Sequence, residues 1–278
     1  MAQFTGAKTY ILDEELGRVV NVAIRLELPL LLKGEPGTGK TLLAHAIAEN
    51  LGMPLIQLNV KSNMKAVDAL YLYDTLTRLN DSRFHDSGRN VADINQYIRM
   101  GKIGQAFTSA KRTVLLIDEI DKADSDFQDD LLDVLDQMSF DIMEIDKTMH
   151  ALHRPIIIIT SNAKKDLSDP FLGRCVFHHI AFPTPEFMRR IVQAHYADLS
   201  DRLMQACIEA FYKMREIDGV EKKPATRELL HWIRALMSEP EFDAKNLSDD
   251  RKIPLLGLLF KKSEDLGRAK RALRQTVA

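Results

Sequence analysis

The sequence is short of cysteine, of tryptophan, of long apolar runs and of net charge. Two cysteines, Cys175 and Cys207, stand among 278 residues. Their spacing fits neither a metal-ligand pair nor a redox motif, so a disulfide framework and a cysteine-held metal are excluded and ordinary reduced core thiols are expected. The longest apolar runs, "PIIII" at 155–159 and "IPLLGLLF" at 253–260, fall well short of the roughly 20 residues that span a bilayer. The opening "MAQFTGAKTY" lacks the basic-then-apolar order of a secretion signal. A cytoplasmic protein without a membrane segment is expected. Lys and Arg number 38 against 40 Asp and Glu, a formal net charge of -2. That balance carries no footprint of nonspecific nucleic-acid binding. There is no internal repeat and no low-complexity tract.

What is present is an alternation. "LDEELGRVVNVAIRLELP" places Leu16, Val19, Val20 and Ala23 at helical spacing behind Asp13, a helix-capping type. "PLLLK" at 29–33 reads as a buried strand, "TLLAHAIAENLG" as a helix closed by Gly52, and "PLIQLNV" at 54–60 as a second strand. Residues 61–112 are polar and read as partly helical, interrupted by an exposed loop, with "GKIGQAFTSA" a helix at their end. Then come the strand "RTVLLID", an amphipathic helix over "SDFQDDLLDVLDQM" with Ser125 as candidate cap, and a hairpin over "FDIMEIDKTMHAL" turning at Asp146-Lys147. "RPIIIITSN" and "VFHHIAF" are further strands. Continuous apolar strands alternating with helices predict an α/β fold whose parallel sheet is covered on both faces. After "PTPE" at 183–186 only helical patterns follow. The expected division is residues 1–183 as the α/β domain and 184–278 as a smaller helical domain.

Three polar stretches lie just beyond apolar strands. The first, from Gly34 to Thr41, is G-x-x-x-x-G-K-T between a strand and a helix. In that context the backbone N–H groups from Glu35 to Lys40 turn inward to cradle phosphate oxygens, and the following helix adds its positive end. Lys40 reaches the β and γ phosphates and the Thr41 hydroxyl ligates Mg²⁺. The second is Asp118-Glu119, after "VLLI". Ligands of open α/β sheets bind beyond the carboxyl ends of strands, so Asp118 is expected to hold Mg²⁺ through water and Glu119 to act as general base on an attacking water. Asp121 and Asp124 read as helix-start residues. The third is Asn162, just past "IIIITS", placed to orient that water or to touch the γ-phosphate. His178 and His179 are adjacent on a strand and face opposite ways, which excludes joint chelation of a metal.

In this order the three stretches resemble the Walker A, Walker B and sensor 1 motifs of the AAA+ ATPases, and the resemblance covers nearly the whole chain. It implies a P-loop NTPase core with an α-helical lid, ATP and Mg²⁺ as cofactors, and nucleotide contacts at Gly34, Glu35, Pro36, Gly37, Thr38, Gly39, Lys40, Thr41 and Leu42. Within the superfamily, "ILDEELGRVVNVAI", "KGEPGTGKT", "LNDSRF", "LLIDEIDKAD" and "HRPIIIITSNA" most resemble the MoxR family, nearest the branch associated with maturation of carbon monoxide dehydrogenase. "DPFLGRCVFH" matches the arginine-finger segment. Related sequences often carry two adjacent arginines there; this chain has Gly173-Arg174, so the role passes to Arg174 alone. Such a finger acts on a neighbouring subunit's nucleotide, which implies a ring, a homo-hexamer. "KPATRELLHWI" matches sensor 2 and gives Arg227 a γ-phosphate contact. Tyr10 and Ile11 are implied to line the adenine pocket. The stretches "ALYLYDTLTRLNDSRF" and "FDIMEIDKTMHAL" match two insertions that face the pore or the substrate. For Tyr71-Leu72-Tyr73, a client grip and a core role are equally open. The resemblance further implies a partner with a von Willebrand factor A domain and a client protein such as a metalloenzyme.

The function this implies is ATP hydrolysis that drives remodelling of a client. A P-loop phosphotransferase shares the glycine loop but does not need Glu119 beside Asp118, Asn162, or an arginine in trans. A nucleic-acid motor or loader is disfavoured by the charge balance. Nucleic acid is therefore not an expected partner.

Overall fold

Every continuous apolar run read as a strand is paired with another such run. The computed structural model describes residues 3–7, 10–84, 88–162, 165, 167–239, 247 and 253–275. Among them the strands are β1 (Leu30–Gly34), β2 (Leu55–Asn59), β3 (Tyr71–Tyr73), β4 (Ile98–Met100), β5 (Val114–Asp118), β6 (Ser139–Ile142), β7 (Lys147–His150), β8 (Ile156–Ser161) and β9 (Val176–Ile180). The helices are α1 (Glu14–Leu26), α2 (Lys40–Leu51), α3 (Ala66–Leu70), α4 (Thr75–Phe84), α5 (Lys102–Phe107), α6 (Ser125–Gln137), α7 (Asp169–Gly173), α8 (Pro185–His195), α9 (Asp201–Arg215), α10 (Thr226–Met237), α11 (Leu256–Leu259) and α12 (Ser263–Gln275).

The main sheet has the order β2-β5-β8-β1-β9, and all four pairings are parallel. Every residue of β8 is buried, as are the first four of β5. A strand buried on both faces has no polar side to alternate, which is why these segments read as unbroken Leu, Ile and Val. Register sets the strand ends level. Lys33 of β1 pairs with Ser161 of β8, Ile117 of β5 with Ile159 of β8, and Asn59 of β2 with Asp118. The polar residues that close these strands therefore emerge along one edge.

Helix ends follow local chemistry. Asp13 caps α1 by accepting from Leu16 N at 3.3 Å. The cap of α6 is Asp124, which accepts from Phe127 N at 3.0 Å. Ser125, the expected cap, is instead the first helical residue; both types can cap, and the carboxylate one position earlier takes the role. The hairpin forms between β6 and β7, with Ser139 opposite His150, but its turn runs through residues 143–146 and Lys147, expected in the turn, already pairs with Ile142 in β7. Phe140 and Ile142 turn into the core while Asp141 is exposed.

Residues 61–112 differ most from expectation. Besides α3, α4 and α5 they contain an antiparallel pair, β3 with β4, in which Tyr71 lies opposite Met100. Residues 85–87, within the expected loop, lie outside the described residues. The tyrosine cluster divides. Tyr71 is buried and stacks on Phe140 with ring centroids 6.2 Å apart, whereas Leu72 is 54% exposed.

The chain forms two compact units: Met1–Ala7, Leu12–Gly34 and Lys40–Ile180 in one, and Lys8–Ile11, Glu35–Gly39 and Ala181–Ala278 in the other. The first has its own core, built on the sheet with Phe107, Phe127, Leu131 and Phe171. The second centres on Trp232, Phe211, Met214 and Leu229. Trp232 donates its indole N–H to the Pro254 carbonyl at 3.0 Å, which satisfies the polar edge of a fully buried ring. Ser200 and Thr184 cap α9 and α8. Cys207 is buried in this core and Cys175 is half-buried; both are free, and burial pushes each thiol up to about 12. Among the described residues no helix is long and apolar enough to cross a membrane.

Helix α5 packs tightly on α3, and a Cβ at Gly104 would run into the Leu70 carbonyl oxygen. Gly104→Ala adds about 1 kcal/mol of helix propensity but forces a backbone shift of the overpacking kind, about 1–3 kcal/mol. Net destabilisation is expected, measured as a lower urea midpoint; a higher midpoint would show that α3 and α5 have room between them.

Candidate active site

The phosphate loop begins where β1 ends. Gly34 is buried, Glu35–Gly39 form the turn, and α2 starts at Lys40. The turn closes on itself, with the Thr38 hydroxyl donating to the Glu35 carbonyl at 2.9 Å. Gly37 and Gly39 have φ of +82° and +94°, the region that favours glycine. At Gly37 the surroundings also leave no room for a side chain, whereas at Gly39 a Cβ would sit at ordinary contact distance. A Cβ on Gly37 would lie 2.7 Å from Ala225 Cβ, and one on Gly39 would lie 3.4 Å from the buried Tyr10 ring. Lys40 is 6% exposed, and its Nζ donates to the Gly34 carbonyl at 2.8 Å, across the base of the loop. A buried ammonium must be held this way. Leu42 and Pro36 are exposed.

One carboxylate gathers the strand ends. Asp118 accepts from the Thr41 hydroxyl at 3.0 Å and from the Thr160 hydroxyl at 2.6 Å. Gln57 of β2 adds a third donor at 3.3 Å. The two residues expected to hold Mg²⁺ thus stand in direct contact, reached from sequence positions 77 apart. A hydroxyl and a carboxylate are hard oxygen donors, and Mg²⁺ on nucleotide enzymes takes one or two such protein ligands beside phosphate oxygens. The residues present fit the ion.

Glu119 is the residue the backbone treats oddly. It sits at φ 60°, ψ 51°, in the left-handed region, at a cost of about 1–3 kcal/mol for a non-glycine residue. Its amide donates to Thr160 Oγ1 at 2.9 Å, which anchors the turn. Its carboxylate is held at both oxygens. Asn162 Nδ2 donates to Oε1 at 2.9 Å, and Lys122 forms an ion pair with Oε2. The hydrogen bond and charge of Glu119 push the Lys122 ammonium above its ordinary range. Asn162 is anchored in turn, its amide donating to Asp121 Oδ1 at 3.2 Å. The structure therefore brings together Lys40, Thr41, Asp118, Glu119 and Asn162.

The two arginines stand differently. Arg174 follows α7 and is half exposed; its Nε pairs with Asp136 and its Nη1 with the Pro170 carbonyl at 3.2 Å. A Cβ at Gly173 would meet nothing within 4 Å. Arg227 is exposed in the first turn of α10. Sequence reasoning did not single out Thr160, Gln57 or Lys122. Thr160 was hidden inside "IIIITS", where only its polarity among isoleucines could have marked it.

Residues 30–184, more than half of the chain, match the model of the ATPase family associated with various cellular activities (AAA). The Lon protease of Mycoplasma mobile is 31% identical over 160 residues, covering 52% of this chain and 16% of that protein. The 26S proteasome regulatory subunit 10B of Dictyostelium discoideum is 29% identical over 151 residues, covering 50% of this chain and 32% of that protein. The match spans less than a third of either relative's length. Among solved structures, a RuvB variant of Thermotoga maritima gives a TM-score of 0.53 at 16% identity, over 95% of this chain and 71% of that one. At that identity the likeness shows the fold alone, a parallel five-stranded P-loop NTPase sheet flanked by helices.

Thr160 bonds both the Asp118 carboxylate and the Glu119 amide. Thr160→Val keeps the shape and removes both bonds. Loss of about 1–3 kcal/mol of support for buried polar groups is expected to lower ATP turnover about tenfold or more. Unchanged turnover would show that Asp118 and Glu119 hold their places without it.

Proposed function

We propose, from the premise that this chain belongs to the AAA family of ATPases, that it hydrolyses ATP in a ring and uses the cycle to remodel a client protein in the manner of the MoxR branch. The observation that carries the hydrolysis is the chain of contacts in which Thr41 and Thr160 bond Asp118, Thr160 holds the Glu119 amide and Asn162 bonds the Glu119 carboxylate.

The chemistry follows from those positions. Loop amides and Lys40 receive the β and γ phosphates, once the Thr38 amide gives up its 3.4 Å bond to the Glu35 carbonyl. Thr41 and Asp118 would hold Mg²⁺, which when bound would supply the charge that neutralises the phosphate oxygens. A water placed by Asn162 attacks the γ phosphorus as the bond to the bridging oxygen breaks. The water's proton passes to Glu119, ADP leaves with the bridging oxygen, and inorganic phosphate is released. Glu119 must first release Lys122, and the pair is partly exposed, so the release is cheap: exposed ion pairs are worth about 0–1 kcal/mol. The same magnitude applies to Arg174 and Asp136, which lets Arg174 trade a carboxylate for a neighbour's γ-phosphate. Arg227, in the first turn of α10, reads the γ-phosphate within its own subunit.

Two of the relatives are named as a protease and as a proteasome regulatory subunit, which favours a protein as the substrate of the motor. A homo-hexamer, a von Willebrand factor A domain partner, a metalloenzyme client and a cytoplasmic setting complete the proposal. They rest on the MoxR resemblance.

Glu119→Gln keeps the hydrogen bond from Asn162 and loses the base. Nucleotide binding is expected to persist while phosphate release falls about 10²–10⁴-fold; equal release would remove Glu119 from the reaction. Arg174→Ala is expected to bind ATP and lose about 10³-fold or more in turnover. Mixing it with Lys40→Ala subunits is expected to restore part of the activity, because at mixed interfaces an intact loop meets an intact arginine. Arg174→Ala protein with full activity would assign the finger elsewhere.

A further inference from the structure

The phosphate loop of this chain carries an acid. Glu35 directly follows Gly34, where a triphosphate with about four negative charges is to bind, and its side chain is half exposed. Unpaired, that carboxylate works against the loop's purpose. It is paired with Arg215, 180 positions along the chain, whose Nη2 donates to Glu35 Oε2 at 2.9 Å.

Arg215 is built to stay there. It ends α9, is only 8% exposed, and packs its guanidinium over the Phe182 ring, 3.4 Å from the centroid. Its Nη1 donates to the Pro224 carbonyl. The next residues are Ala225, against which Gly37 packs, and Thr226, which begins α10. A planar, permanently charged group stacked on an aromatic ring and bonded in two directions has little freedom. Arg174 and Lys122, in contrast, are partly exposed and exchangeable.

We propose that Arg215 is a positioning residue for ATP: it cancels the charge of Glu35 and fixes the phosphate loop beside the turn that leads into α10. The proposal rests on the reading of this loop as an ATP site. Its consequence is a charge-graded affinity. With Arg215 neutralised, a carboxylate several Å from the phosphates repels them in a medium of intermediate dielectric, and the repulsion scales with ligand charge.

The test is equilibrium binding of ATP, ADP and adenosine by calorimetry to wild type, Arg215→Gln, Glu35→Gln and the double variant. Arg215→Gln is expected to weaken ATP about tenfold, ADP less, and adenosine hardly at all. Glu35→Gln in that background is expected to recover most of the ATP affinity. Equal loss for all three ligands, or a double variant as weak as Arg215→Gln, would reduce Arg215 to a structural role and overturn the proposal. Should Arg215→Gln not fold, Glu35→Gln alone decides. Glutamine keeps an acceptor for Arg215 but sheds the charge, so ATP is expected to bind two- to threefold more tightly, roughly the gain from removing one partly screened charge. Unchanged or weaker binding overturns the proposal. A wild-type chain that binds no ATP would instead sink the ATPase reading itself.

Discussion

Three apolar strands end side by side, and the polar groups at their ends have to satisfy one another. The rest of the structure depends on that constraint. Asp118 closes a strand whose other residues are buried, and it accepts hydrogen bonds from Thr41 of α2, Thr160 of β8 and Gln57 of β2. The parallel order places those donors within reach, because β5 lies between β2 and β8. Any slip in register would strand a carboxylate among isoleucines, at a cost of several kcal/mol. The network thus fixes the sheet edge and, through it, the position of Glu119.

Ion pairs sort the working side chains by how much it costs to move them. Glu119 with Lys122 and Arg174 with Asp136 are partly exposed pairs, and such pairs are weakly held. Arg215 with Glu35 is anchored by burial, ring stacking and a carbonyl. The groups assigned to move during a cycle are therefore the loosely paired ones, and the group assigned to hold the loop is the firmly packed one.

Much of this was legible in the sequence because it was written locally. The buried strands are continuous Leu, Ile and Val, and the glycine loop sits between a strand and a helix, so fold class and the positions of Lys40, Thr41, Asp118, Glu119 and Asn162 could be read directly. What escaped depends on distant partners or on near-equivalent choices. β3 and β4 are three residues each and exist through pairing across Tyr71 and Met100, with no period to betray them. Asp124 and Ser125 are both capping types, and only the fold decides between them. Thr160 looked like one more position in an isoleucine strand. The Arg215–Glu35 pair joins residues that no local pattern relates.

The central proposal is that a triphosphate binds at Lys40, next to the Thr41–Asp118 contact. Calorimetric titration of ATP with Mg²⁺ into the wild-type chain and into Lys40→Ala tests it most directly. One ATP per chain is expected, with affinity falling about tenfold or more once the buried ammonium is gone, the loss of a charge-assisted phosphate contact. Equal affinity in the two proteins would contradict the account.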